Sequence, residues 1–180
     1  ITTFNDMYFY PQATAEVSEE LGMRANIGLV VLDFPTGYAS DPRDYLNKGL
    51  NFRDTWRDNS LITTSIAPHA PYSVSDESFL MIGTYANQLQ MTIHTHLHET
   101  EAEISESLQK FNMTPIQRLD KLGILGPNVT AAHCVHLNDT DIKILEKNQV
   151  NVIHNPSSNM KLGSGVANIK TLYEKGVNIG

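Results

Sequence analysis

Apolar positions along the chain follow two alternating rhythms. Short β-rich runs recur, and each is followed by a stretch with apolar residues three or four apart. The run Ala25-Asn26-Ile27-Gly28-Leu29-Val30-Val31-Leu32 is the strongest of them. The pattern predicts strands over Thr2 to Tyr8, Arg24 to Leu32, Leu61 to Ala67, Met91 to His98, Asn128 to Cys134 and Val150 to Ile153.

Between these runs the chain carries helix signals. Pro11 to Leu21 reads as a helix closed by Gly22. Asp41-Pro42 places a capping residue before a proline at the first helical position, and that helix should run to about Asp58. Ser75 caps the next helix, with Phe79, Ile82, Ala86 and Leu89 at helical spacing. Thr100 and Glu103 form a capping box before the stripe Ile104, Leu108, Phe111. Thr114-Pro115 opens a short helix that stops at Gly123, Asn138 caps one to about Asn148, and Gly165 to Lys175 is the last. The segment Asn155-Pro156-Ser157-Ser158-Asn159 reads as turn chemistry.

Strand followed by helix, repeated about six times with short connections, predicts an α/β fold with a parallel sheet and crossover helices. A doubly wound sheet and a (β/α)8 TIM-type barrel both fit this alternation. No glycine-rich dinucleotide fingerprint or phosphate-loop lysine follows a strand, which weakens the nucleotide-cofactor version. The chain opens on Ile1-Thr2-Thr3-Phe4 and stops where Gly176-Val177-Asn178-Ile179-Gly180 suggests a new strand. Residues 1–180 are therefore expected to be the central part of a larger barrel, an open partial barrel of about six βα units.

Composition narrows the partners. The chain has 180 residues, 41% of them hydrophobic and 18% charged, enough apolar material for a packed core and too little charge for disorder. Thirteen basic against twenty acidic residues give a net charge of −7, which disfavours nucleic acid as a partner but not a nucleoside. A single cysteine, Cys134, excludes an internal disulfide. These residues show no signal-peptide pattern and no membrane-length apolar run, and a cytoplasmic protein without a membrane partner is the expectation. A homo-oligomer is compatible with all of this.

Candidate chemistry gathers at strand ends. In Met91 to His98, strand alternation places His94, His96 and His98 on one face, with Glu99 just beyond. Imidazoles there suit zinc or iron, and a neighbouring carboxylate can move protons. Four successive strands end in a histidine: His69, His96, His133 and His154. Strand C-termini are where barrels and open α/β sheets both place their sites. Asn155 and Asn159 lie in the same kind of loop and can bond a polar ligand.

Four motifs in order then carry a resemblance over nearly the whole chain: Ala67-Pro68-His69-Ala70-Pro71-Tyr72, His94-Thr95-His96-Leu97-His98-Glu99-Thr100-Glu101, Ala131-Ala132-His133-Cys134-Val135-His136, and the stretch from His154-Asn155-Pro156 to Lys161-Leu162-Gly163. The chain resembles the amidohydrolase superfamily, in its branch of 5'-methylthioadenosine and S-adenosylhomocysteine deaminases. The resemblance implies a (β/α)8 barrel with one divalent metal, usually zinc, and hydrolytic deamination of an adenosine-type nucleoside by water. By that resemblance His96 is a metal ligand, and Glu99 is the acid/base that also meets the purine. His133 is the catalytic histidine beside the attacking water. His69, His98 and Asn155 are substrate-binding residues, with His98 at the pocket mouth, and His94 lies deeper.

The family's His-x-His pair and final aspartate are not found in these residues. Family members that accept S-adenosylhomocysteine carry an arginine where this chain has an apolar residue near Leu29, so methylthioadenosine or a related deoxyadenosine is favoured. A guanine or 8-oxoguanine deaminase, a triazine-type chlorohydrolase, and a non-catalytic partial barrel remain as alternatives. The other nucleobase-deaminase signature, His-x-Glu with Pro-Cys-x-x-Cys, is absent.

Overall fold

A computed structural model describes residues 1–180. It contains six strands and eight helices, alternating except at two places where one helix follows another directly. Strand order follows chain order, and the pairings β1–β2, β2–β3, β3–β4 and β5–β6 are parallel. A doubly wound sheet would reverse its order partway along. The unreversed order selects the barrel-type winding from the two that the alternation allowed. The chain divides into two compact units, residues 1–69 with 73–94, and residues 70–72 with 95–180.

The first unit holds β1 (Thr3–Tyr8), α1 (Pro11–Glu20), β2 (Arg24–Val31), α2 (Pro42–Trp56), β3 (Ile62–Pro68), α3 (Asp76–Leu89) and the start of β4 (Thr92–Leu97). β2 is its centre. Ile27, Leu29, Val30 and Val31 are all buried, so both faces are covered, as expected of a parallel strand between crossover helices. Tyr45, Leu46, Phe52 and Trp56 form the buried stripe of α2. Asp41 caps that helix by accepting from the backbone of Arg43 and Asp44. Two glycines permit close approach here. A Cβ on Gly28 would stand 2.6 Å from the Asp6 carbonyl, and one on Gly49 would stand 2.9 Å from Leu29 Cβ.

The second unit holds the end of β4, α4 (Glu101–Phe111), α5 (Pro115–Lys121), β5 (Val129–His133), α6 (Asp139–Lys147), β6 (Asn151–Ile153), α7 (Pro156–Leu162) and α8 (Ile169–Glu174). Capping boxes open α4, α5 and α6 through Thr100–Glu103, Thr114–Gln117 and Asn138–Asp141. β5 and β6 pair from Thr130↔Asn151 to Ala132↔Ile153. The residues before Gly180 extend that pairing: Gly180 donates to the Val152 carbonyl at 2.9 Å, and His154 donates to the Gly180 carbonyl at 2.9 Å.

Two expectations change. The segment 155–159, read as turn chemistry, instead opens a helix over Pro156–Leu162, with Pro156 in the helix-starting position that needs no amide hydrogen. The last helix starts at Ile169 rather than Gly165, because Asn168 supplies its cap and Gly165 lies at a φ of 107°. No helix is long and apolar enough to cross a membrane.

Candidate functional site

β4 ends at Leu97, and Glu99 lies in the short turn before α4. The capping box holds that turn. The Thr100 amide donates to Glu103 Oε1 at 3.1 Å, and the Glu103 amide donates to Thr100 Oγ1 at 3.4 Å. The sequence Thr100-x-x-Glu103 thus fixes the exit of the chain immediately after Glu99.

β5 delivers His133 to the same place. The His96 and His133 rings lie 5.4 Å apart between centroids, tilted by 30°. Nε2 of His133 stands 3.6 Å from Oε2 of Glu99, with the Glu99 side chain 18% exposed. The backbone is unusual at this point. His98, His133 and Cys134 all have positive φ, at 53°, 76° and 46°. Left-handed residues other than glycine are costly and gather where the surrounding structure enforces a functional geometry. Backbone bonds do the enforcing: Cys134 donates to the Leu97 carbonyl at 2.9 Å, and Val135 and His136 both donate to the His98 carbonyl.

α7 and the turn after it supply partners for this pair. Nδ1 of His133 lies 2.7 Å from Oδ1 of Asn159, which is only 1% exposed. Ser164 Oγ donates to Glu99 Oε1 at 3.4 Å, and the Ser164 amide donates to the Asn159 carbonyl at 2.8 Å. His136 Nε2 lies 2.7 Å from the Ser164 carbonyl, which anchors the turn. Asn159 was within reach of sequence reasoning as a polar loop residue. Ser164 and His136 were not, because their partners are remote in sequence.

Other groups shape the electrostatics. Burial raises the Glu103 pKa from 4.5 to about 7, and its Oε2 has no hydrogen-bond partner. Burial, then the charges of Glu103 and Glu99, raise the pKa of the half-exposed Tyr72 phenol. The Cys134 thiol is fully buried, and burial pushes its pKa far up, which keeps it unreactive.

His98 is not at the mouth of a pocket. It is fully buried, its Nδ1 lies 2.8 Å from the His136 carbonyl, and its Nε2 accepts from the Ile116 amide at 3.2 Å. Both ring nitrogens are occupied within the protein, so no polar atom is left for a substrate. The reason is the end of β4 at Leu97: the positive φ of His98 breaks the alternation that grouped it with His94 and His96. Burial lowers the His98 pKa, opposed by nearby Asp141, so the ring is held neutral.

His69 belongs to the first unit, where its Nδ1 lies 2.8 Å from Ser73 Oγ and its amide donates to the Val31 carbonyl. His94 is buried in the same unit. Asn155 precedes α7, and its side-chain amide makes a long 3.4 Å contact to the Ile153 carbonyl. His154 follows β6, with its Nδ1 buried and without a hydrogen-bond partner.

Comparison with known proteins bears on the family and the fold. The Amidohydrolase family model matches residues 1–180. A 5-methylthioadenosine/S-adenosylhomocysteine deaminase of Saccharophagus degradans is 45% identical over 177 residues, 98% of this chain and 40% of the relative. A 5'-deoxyadenosine deaminase of Methanothrix thermoacetophila is 38% identical over 179 residues, 99% of this chain and 42% of the relative. The chain thus spans about two-fifths of the length of the curated relatives it matches.

Among solved structures, a zinc-bound adenosine deaminase from Xanthomonas campestris superposes with a TM-score of 0.95 at 38% identity, over 99% of this chain and 41% of its own. An atrazine chlorohydrolase from Arthrobacter aurescens superposes at 0.90 with 21% identity, over 100% of this chain and 44% of its own, a likeness of fold alone. The six parallel strands are thus part of a (β/α)8 TIM-type barrel fold. By its sequence over all 180 residues, and by its fold, the chain belongs to the amidohydrolase family.

Proposed function

We propose that the protein containing this chain is a metal-dependent aminohydrolase. It deaminates an adenosine-type nucleoside, with 5'-methylthioadenosine or a 5'-deoxyadenosine favoured over S-adenosylhomocysteine. The observation that carries this reading is the placement of Glu99 3.6 Å from His133, beside the ring of His96. The names of the 45% and 38% identical relatives support the substrate class. The preference within it rests on the family resemblance, by which this chain has an apolar residue near Leu29 where members that accept S-adenosylhomocysteine carry an arginine.

The donor chemistry fits a share of a metal site. His96 is a neutral-imidazole type of ligand suited to zinc. No group of three or more His, Cys, Asp or Glu side chains in this chain converges to hold an ion, so further ligands would come from outside residues 1–180. Zinc bound there would lower the pKa of water to about 7 and make it a nucleophile at neutral pH.

The chain's own residues then move the protons. Glu99 takes a proton from the attacking water and passes it to the ring nitrogen beside the amino-bearing carbon. The water oxygen adds to that carbon, the carbon–nitrogen bond breaks, and ammonia leaves with a further proton. A carbonyl replaces the amine, so one water is consumed and one ammonia released. His133 orients the water by accepting one of its hydrogens. His69 keeps the substrate-contacting role that the family resemblance gives it, and Asn155, a polar residue in the loop after β6, is able to bond the substrate.

An ammonia-release assay of the full-length protein on methylthioadenosine, 5'-deoxyadenosine, S-adenosylhomocysteine, guanine and a chlorotriazine tests the proposal. Turnover of the adenosine derivatives supports it. Preference for guanine or the triazine moves the protein to another branch of the family.

A further inference from the structure

The Glu99–His133 pair does not stand alone. One short stretch of chain touches both members, each from the side away from the other. Asn159, on α7, meets His133 Nδ1 at 2.7 Å. Ser164, two residues beyond α7, meets Glu99 Oε1 at 3.4 Å. The two are tied together, because the Ser164 amide donates to the Asn159 carbonyl at 2.8 Å. The far end is pinned again where His136 Nε2 meets the Ser164 carbonyl. Asn159 and Ser164 are both buried. Gly165 completes the turn at a φ of 107°, and a Cβ there would stand 3.1 Å from Val135 Cγ1, so the turn can lie this close to the loop after β5 only without a side chain.

We propose that Asn159 and Ser164 form a two-point clamp that positions the proton-handling pair: Asn159 accepts the Nδ1 hydrogen of His133 and so turns its bare Nε2 toward Glu99, while Ser164 holds the Glu99 carboxylate. This rests on the roles given to Glu99 and His133 above. The physical argument is one of tautomers. A neutral imidazole carries one hydrogen, and the partner of one nitrogen decides what the other presents. With Nδ1–H donated to Asn159, Nε2 and Glu99 Oε2 are two acceptors facing each other across 3.6 Å. Such a pair is bridged by a group that brings hydrogens, which is what the attacking water does.

If the Asn159 amide were turned over, it would donate to Nδ1 instead. His133 would then carry its hydrogen on Nε2 and spend it on Glu99. Asn159 and Ser164 are thus positioning residues, acting through His133 and Glu99 rather than on the substrate.

Nitrogen-15 NMR of the full-length, zinc-loaded protein with labelled histidine reads the tautomer directly, at a pH where the ring is neutral and with no substrate present. The expected signature is a protonated Nδ1 and an unprotonated Nε2 on His133. Asn159→Leu, which removes the acceptor, should shift His133 toward the other tautomer. It should also lower kcat about ten- to a hundred-fold with KM little changed, the usual scale for a residue behind a reacting group. Ser164→Ala should lower kcat while leaving the His133 signature as it was.

A His133 protonated on Nε2 in the unsubstituted protein overturns the clamp, as does an unchanged signature in Asn159→Leu. Should Asn159→Leu fail to fold, the unsubstituted protein's spectrum still decides. The spectrum involves no substrate. Correct tautomers without ammonia release would therefore sink the proposed reaction and leave the clamp standing.

Discussion

Nε2 of His133 stands 3.6 Å from Oε2 of Glu99, with the His133 ring 5.4 Å from that of His96. This is a site of few donors. A stable zinc site needs three or four protein ligands, and this chain brings no three together. Residues 1–180 alone should therefore lose zinc on dialysis, read by metal analysis. Stoichiometric zinc retained by the isolated chain would contradict the assignment of His96 as one ligand of several.

Glu103 should make stability fall with rising pH. Its pKa is raised from 4.5 to about 7 in the fold, so the folded state holds a proton that the unfolded state has lost. Stability is then greatest below about pH 4.5 as far as this group is concerned, falls between about pH 4.5 and 7, and is level above. The full effect is on the order of 3 kcal/mol. Denaturant titrations of Glu103→Gln at several pH values should lack this fall, since glutamine keeps the capping box without ionising. An unchanged pH slope would show that Glu103 is not the group responsible.

His98 is a structural tie rather than a ligand. His98→Leu removes the acceptor of the Ile116 amide and the partner of the His136 carbonyl, both at a fully buried ring. Leaving two buried backbone groups unsatisfied costs about 2–5 kcal/mol. The expected result is a large drop in the unfolding midpoint. A stable variant with altered substrate affinity would return His98 to the pocket.

Gly28→Ala tests the close approach of β1 and β2. The added Cβ would meet the Asp6 carbonyl at 2.6 Å and Ala67 Cβ at 2.9 Å, so the backbone must shift. A loss of about 1–3 kcal/mol is expected from denaturant unfolding. No loss would mean that the strands separate freely.

The alternation of strands and helices was legible because each buried strand is a run of apolar β-formers and each helix carries its own cap. Thr100-x-x-Glu103 and Asn138-x-x-Asp141 predicted two helix starts that the capping boxes show. α7 was not legible. Pro156-Ser157-Ser158-Asn159 has turn residues throughout, although proline also suits a first helical position. Strand alternation was a sound guide up to Leu97 and failed at the next residue, where His98 turns to positive φ. The pairing of His133 with Asn159 spans 26 residues and that of Glu99 with Ser164 spans 65, distances at which neither periodicity nor a local motif can speak. The motif residues Glu99, His96 and His133 could be named beforehand, and Asn159 as a polar loop residue, whereas their pairings and the role of Ser164 could not.

Glu99→Gln in the full-length, zinc-loaded protein tests the central claim most directly. Metal analysis and ammonia release from methylthioadenosine are measured on the same sample. The variant should retain its zinc and lose ammonia release by at least about a hundred-fold, since general acid–base catalysis is typically worth that much or more. Turnover within a few-fold of the unsubstituted enzyme, with zinc still bound, would contradict the assignment of Glu99 as the group that moves the protons.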